Sequence, residues 1–391
     1  MEKIGQGAFG SVYKVGDRVI KKMKVDGGIQ YTSLREIAFY KCVNHPNIIG
    51  FLEVKYKKVY IELHMQYGGK NLQHYIMNVK LQVRLQEIDN IYNQIIDAVG
   101  YLHYNNIIHR DLKPVNILCD TANVIKLCDF GLCRKNTNIQ PAFMQREETI
   151  YDLNGDQMTK NVCTLNYRAP ELFSPGCDEY NCNIDVWSIG CILYEYIMRR
   201  HMFPGTKDEI VWEKIKSQLQ PTREDFIDIN LEPETYNTNV VDWATNLLFC
   251  DINVETIKKY KELISRMIVF NPAMRPQISE FTNRKKYSVT TTDKPHTLYL
   301  GIIPPPQMLQ YIAYIQNQEN IIAISPKTVD CALNILNEYS YKVDTITIEL
   351  LDAMITISSK LNDSLPVPSK NPEFPKLEKH ILTTIDFSLS L

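Results

Sequence analysis

Two short strings, HRDLKPVNIL at His109–Leu118 and CDFGLCR at Cys128–Arg134, constrain this chain more than anything else in it. In the first, Asp111 can accept a hydroxyl proton, and Asn116 can ligate a divalent cation. In the second, Asp129 supplies a hard carboxylate for the same cation. Transfer of a phosphoryl group needs this set. Its transition state spreads negative charge over several oxygens, which a metal and a lysine neutralise while a carboxylate orients the nucleophile. NYRAPEL at Asn166–Leu172 and DVWSIGC at Asp185–Cys191 follow in order. Each string alone could be a turn or a charged surface, but the ordered set is not an accidental run.

Upstream lies GQGAFGSV, in which Gly5, Gly7 and Gly10 let backbone N–H groups approach phosphates without side-chain obstruction. A glycine run of this kind can also open a dinucleotide-binding helix, but SVYKV after it is strand-like and no helix follows. Lys21 on the next strand and Glu36 on the following helix could hold an ammonium against ATP phosphates, with Lys22 and Lys24 as competitors for that role.

The 391 residues, 45% hydrophobic and 23% charged, supply a core for one large or two moderate domains and exclude both disorder and a disulfide miniprotein. Lys and Arg number 43 against 45 Asp and Glu, a net charge of -2 that gives no overall field to steer nucleic acid or a membrane surface. Neither is expected as a partner. The ten cysteines are scattered singly, and no run approaches the length of a membrane span. This reads as an intracellular protein of cytoplasm or nucleus with reduced thiols. Cys177 and Cys182 have no second pair at ligand spacing, so zinc is not expected. Beyond Arg284 there is no arginine, no tryptophan and one glycine, Gly301, which marks a second, mostly helical unit. The expected division is a first domain over 1–285, a linker over 286–303 and a second domain over 304–391. About eighteen extended linker residues reach about 60 Å, against about 50 Å for the breadth of the first domain.

Residues 1–285 resemble eukaryotic protein kinases, and SLREI around Glu36, DFGLCR, YRAPE and RRHMFPG make cyclin-dependent kinases the nearest group. The resemblance implies an α+β bilobal fold, with a small β-rich N-lobe over about 1–67 and a large helical C-lobe over about 71–285, that phosphorylates protein serine or threonine, with proline expected after the target residue, using ATP and Mg²⁺. It implies that Lys21 binds phosphates and pairs with Glu36, that Asp111 is the catalytic base, that Lys113 assists the transferring phosphate, and that Asn116 and Asp129 hold Mg²⁺. Ile4, Val12, Val19 and Leu118 would wall the adenine slot, with Met65 as gatekeeper and Gln66, Tyr67 and Gly68 as hinge. Thr159 occupies the place of the activating phosphothreonine, and Arg35, Arg110 and Arg134 match its phosphate-binding arginines. Arg275 would tie to Glu171.

Departures from the family are equally specific. Ala8 and Phe9 replace the inhibitory Thr-Tyr pair of the glycine loop, so that brake is expected to be absent. The segment between Asp129 and Glu171 is long, and Asn166 stands where the family has tryptophan, which puts proline selection in question.

In the second domain, Ser325 and Pro326 open a helix whose Val329, Ala332, Leu333 and Leu336 share a face. A second helix carries Leu350, Leu351, Met354 and Ile355, and a third runs from Pro375 through Leu377, Ile381 and Ile385. The strings resemble successive helices of a single cyclin box, which implies a small all-α cyclin-box-like domain that activates the kinase from within the chain. Lys360 and Glu378 match the cyclin residues that contact the SLREI-bearing helix. The cyclin box's internal Arg-Asp pair is missing at both ends. Rival readings are an inhibitory or merely structural tail, an enzyme that uses a separate cyclin, and a non-catalytic kinase-fold protein that captures cyclins or kinases. Intact Lys21, Asp111, Asn116 and Asp129 speak against the last.

Overall fold

The computed structural model describes residues 1–7, 10–25, 30–57, 59–135, 163–173, 180–221, 254–281, 332, 335–336, 348–362 and 374–384. The expected linker, Ala8, Phe9, Thr159, Cys177, Val329, Leu333 and Ile385 lie outside these residues, as do the side chains of Arg35 and Lys360.

The chain opens with three antiparallel strands, β1 (Glu2–Gly7), β2 (Gly10–Val15) and β3 (Arg18–Lys24), followed by helix α1 (Tyr31–Cys42) and strands β4 (Phe51–Tyr56) and β5 (Tyr60–Gln66). They form one sheet in the order β1-β2-β3-β5-β4. Because side chains alternate across a strand, register decides which residues share a face. Val12, Lys21, Leu63 and Val54 are directly paired across four strands and so face the same side. The neighbouring row, Ser11, Lys22, Glu62 and Lys55, faces the other. That settles the competition among the lysines: Lys22 pairs with Glu62 at 3.4 Å and lies over Tyr60, away from Glu36.

A hinge leads into the second lobe through β6 (Lys70–Asn71) and α2 (Leu72–Asn78), where the Asn71 side chain caps the helix by accepting from the His74 N–H. The long α3 (Leu81–Tyr104) and α4 (Asn183–Met198) form the core of this lobe. Every residue of α4 from Asn183 to Ile197 is buried, the pattern of a helix enclosed by protein on all sides. Between α3 and α4 run the short strands β7 (Ile107–Ile108), β8 (Ile117–Cys119), β9 (Ile125–Leu127) and β10 (Arg134–Lys135). Helices α5 (Asp208–Leu219) and α6 (Val254–Met267) complete the described part of the lobe.

At the C-terminus, α7 (Ile348–Asn362) and α8 (Phe374–Thr384) match the second and third expected helices. Ala332 and Leu336 are helical and buried, in line with the expected apolar face of the first helix, and Ile335, outside that face, is helical and buried too. Helix α8 packs on α7, and α7 packs on α1. Their apolar residues, among them Leu351, Met354 and Ile381, join the same continuous core as Leu34 and Ile37 of α1.

Candidate active site

Strand β3 aims Lys21 inward, and α1 brings Glu36 to meet it. Lys21 Nζ donates to both Glu36 oxygens at 2.7 Å and lies 3.3 Å from Asp129 Oδ1. Burial disfavours the ammonium, but the two carboxylates, Glu36 first and then Asp129, outweigh it and hold the group above its ordinary range. Burial likewise pushes the Asp129 carboxyl up, and the Lys21 charge reverses this to leave it below the usual value. Asp129 is therefore ionised and fit for a hard cation.

Asp129 has φ 65, a left-handed backbone, and its N–H donates to Tyr40 Oη of α1. The next residue, Phe130, is fully buried. Its ring stacks on Phe39 with centroids 3.8 Å apart, meets Tyr40 edge-on at 5.3 Å, and lies 4.8 Å from His109. These rings connect α1 to the catalytic loop, so tilting α1 would disturb both.

The loop itself hangs from α4. Asp185, wholly buried in the first turn, accepts the backbone N–H of His109 at 2.9 Å and of Arg110 at 3.0 Å. Burial works against an imidazolium at His103, but Asp185 at 2.9 Å raises that group to about 9, so the pair is charged at neutral pH. Arg110, with φ 68, turns the chain so that Asp111 faces the cleft. Asp111 Oδ2 accepts from Lys113 Nζ at 2.6 Å and from Asn116 Nδ2 at 3.1 Å, while Oδ1 accepts from the Thr164 N–H at 3.1 Å and its hydroxyl at 2.9 Å. Lys113 Nζ also donates to Thr164 Oγ1 at 2.7 Å. A carboxylate so held is a fixed acceptor with an ammonium at its side. Asn116 and Asp129 add two hard oxygen donors from adjoining segments, a set that suits a divalent metal.

The residues expected to face a nucleotide lie on β1, β2, β3, β5, β8 and the hinge. Val19 and Met65 are directly paired and buried, Val12 is half-buried and Ile4 is exposed. The hinge is shaped by glycines. A Cβ on Gly68 would stand 2.8 Å from Leu118 Cδ1, and Gly69, at φ 93, lies against the Cys119 carbonyl. No other residue lets the hinge approach β8 so closely. Tyr67 N–H donates to the Asp17 carbonyl at 2.9 Å, and Gln66 N–H to that of Gly50 at 2.9 Å, tying the hinge to the first lobe.

Behind Asp111, the segment around Thr164 is braced by Arg168. Cys163 has φ 68, and its carbonyl accepts from Arg168 Nη2 at 3.3 Å, while Nη1 pairs with Asp208 at 2.9 Å. Asn166, in the place of an expected tryptophan, instead accepts the Gly205 N–H at 3.2 Å. Arg275 grips Glu171 by two bonds of 2.7 Å, as the sequence implies. Arg110 is buried, and its Nη1 donates to Tyr180 Oη at 2.7 Å, a partner that sequence reasoning did not single out. Thr164, Asp185 and Tyr40 were also missed as site residues. Among the described residues no cluster of His, Cys, Asp and Glu could hold a structural metal, and no helix is long and apolar enough to cross a membrane.

A lysine between two carboxylates, a braced catalytic aspartate and two hard metal donors, set between a β-sheet lobe and a helical lobe, define a phosphotransferase of protein-kinase type. A family model described as Protein kinase domain matches residues 1–287, and the chain belongs to that family. It therefore uses ATP with a divalent metal and acts on protein substrates. The chain is 31% identical over 292 residues to Cyclin-dependent kinase 1 of Encephalitozoon cuniculi, a match that covers 70% of this chain and 91% of that one.

Proposed function

We propose that this protein is an intracellular, Mg²⁺-dependent serine/threonine kinase of cyclin-dependent type, proline-directed, and activated by its C-terminal cyclin-box-like unit and by phosphate on Thr159. The observation that carries the reading is the pairing of Asp111 with Lys113, Asn116 and Thr164, opposite Lys21 held between Glu36 and Asp129.

Mg²⁺ on Asn116 and Asp129 would supply charge neutralisation at the phosphate oxygens. Lys21 binds the phosphates nearer the nucleoside, and Glu36 keeps it from collapsing onto Asp129. Asp111 accepts the hydrogen bond of the substrate hydroxyl and takes its proton as the new oxygen–phosphorus bond forms and the bond from the γ-phosphorus to the β–γ bridging oxygen breaks, releasing ADP. Lys113 shields Asp111 from the incoming negative charge. Thr164 fixes the distance between this carboxylate and the segment on which the substrate lies.

Proline selection is supported by the Cys163 carbonyl. Arg168 Nη2 already donates to it at 3.3 Å, which makes it a poorer acceptor for the N–H of a substrate residue after the target hydroxyl. Proline has no N–H and loses nothing, whereas other residues would leave a donor weakly paired, at a cost of up to about 1–3 kcal/mol. Asn166 anchored to Gly205 supports a platform without the tryptophan. Arg110 and Arg134 both act electrostatically on Tyr180, which puts two of the three candidate phosphate-binding arginines in one neighbourhood. The packing of α7 on α1 supports an activating role for the tail.

The test compares Ser-Pro and Ser-Ala peptides with wild type and Asp111→Asn. Wild type should prefer Ser-Pro, and the variant should lose at least about a hundredfold in turnover while still binding nucleotide. Wild-type turnover by Asp111→Asn, with contaminating kinase excluded, refutes the assignment.

A further inference from the structure

Among its described side chains, helix α1 leaves no polar stripe to solvent. Of its described side chains only Lys41 is not buried, and even Thr32, Ser33 and Glu36 are enclosed. A helix laid on a sheet normally keeps one face wet. Here α7 covers the side of α1 that would otherwise be open, and α8 backs α7. The tail also reaches the sheet. Among the described residues β4 is an edge strand, hydrogen-bonded to β5 alone, and such edges need cover. Lys379 of α8 places its ammonium 4.9 Å from the centre of the Tyr56 ring at the end of β4. Beside it Glu378 is completely buried, and it lies close enough for its charge to add to the effect of burial on the Tyr56 phenol. The tail therefore holds both elements that flank the Lys21–Glu36 pair: the helix that carries Glu36 and the outer strand of the sheet that carries Lys21.

We propose that α7 and α8 occupy the activator surface of this kinase permanently, latched to β4 through Tyr56 and Lys379, so that the enzyme takes no separate activator protein. This deepens the kinase reading and rests on it. A tethered segment acts at an effective concentration of about 1 mM, so a free competitor at micromolar concentration starts at about a thousandfold disadvantage.

The experiment uses the full-length chain and a purified cyclin as the probe. Specific activity toward a Ser-Pro peptide should stay constant over about a thousandfold dilution, and micromolar cyclin should change it less than about twofold. Lys379→Glu, an exposed position, should lower activity about tenfold or more, speed amide exchange in α1, and make the enzyme responsive to added cyclin. Tyr56→Ala should act the same way, and the two changes together should do little more than either. Stimulation of wild type by cyclin of about tenfold or more, loss of specific activity on dilution, or wild-type activity and α1 exchange in both variants overturns the proposal. Exchange keeps the two readings apart. Full protection of α1 that Lys379→Glu removes, in a wild-type chain that transfers no phosphate, supports the latch and refutes the kinase reading instead.

Discussion

Replacing Glu36 by glutamine probes the geometry on which the site turns. Both Glu36 oxygens accept from Lys21 Nζ at 2.7 Å, in a pair whose side chains are only 12% and 3% exposed. Glu36→Gln keeps the shape and one acceptor but removes the charge. Stripping one partner from a buried pair costs about 3–5 kcal/mol. The full cost is not reached here, because Asp129 Oδ1, 3.3 Å from the ammonium, takes over part of the load. About 2–3 kcal/mol remains, equivalent to about 30- to 150-fold in rate at 1.36 kcal/mol per tenfold. Because Lys21 then leans toward Asp129, the phosphate-binding and metal-binding positions are both disturbed, and the loss should fall on kcat and on KM for ATP together. Steady-state phosphorylation of a Ser-Pro peptide at varied ATP reads both constants, with thermal unfolding as the control for integrity. A folded variant whose kcat/KM for ATP stays within about threefold of wild type would show that the pair is not what positions Lys21.

Two further predictions concern the scaffold. Arg275→Ala leaves Glu171 buried without its counter-charge and should cost about 3–5 kcal/mol in urea unfolding, while Arg275→Met with Glu171→Met recovers most of that; equal instability of the single and double variants refutes this. His201, whose Nδ1 lies 3.3 Å from Glu195 Oε2, has its pKa raised by that hydrogen bond, so its contribution is full below about pH 6.5 and is lost as pH rises through the elevated folded value. The Tm difference between wild type and His201→Gln should shrink with rising pH, and a difference independent of pH removes the ion pair from the account.

Much of the site was legible because its roles sit on contiguous residues. HRDLKPVN places base, lysine and metal-binding amide within one loop, and DFG supplies the second carboxylate. What hid was whatever depends on a long return of the chain. Thr164 meets Asp111 across 53 residues, and Asp185 reaches the His109 N–H across 76, with no local pattern to announce either contact. The choice of Lys21 over Lys22 needed the sheet's register, since adjacent residues on a strand differ only in the face they take. In the tail, periodicity located α7 and α8, but a glutamate on an amphipathic helix reads as solvated, and Glu378 is fully buried. Its charge is felt at Tyr56 of β4, a residue that spacing does not single out. Edge-strand partners of that kind leave no trace in spacing.

The packing of α7 on α1 also sets an order of events during synthesis. The strands β1 to β3 and α1 precede α7, the helix that covers α1, by roughly 300 residues, and so leave the ribosome well before it. At about 5–20 residues per second, the roughly 300 residues between them take about 15–60 s to emerge. Throughout that interval Leu34 and Ile37 lack the apolar cover that α7 gives them, and the nascent chain is a client for holdase chaperones. Under the proposed latch, catalysis would wait on the synthesis of α7 and α8 rather than on the appearance of a partner. Ribosome-bound chains stalled before residue 348 should be cut by protease near α1 and transfer no phosphate, whereas released chains should resist cleavage there.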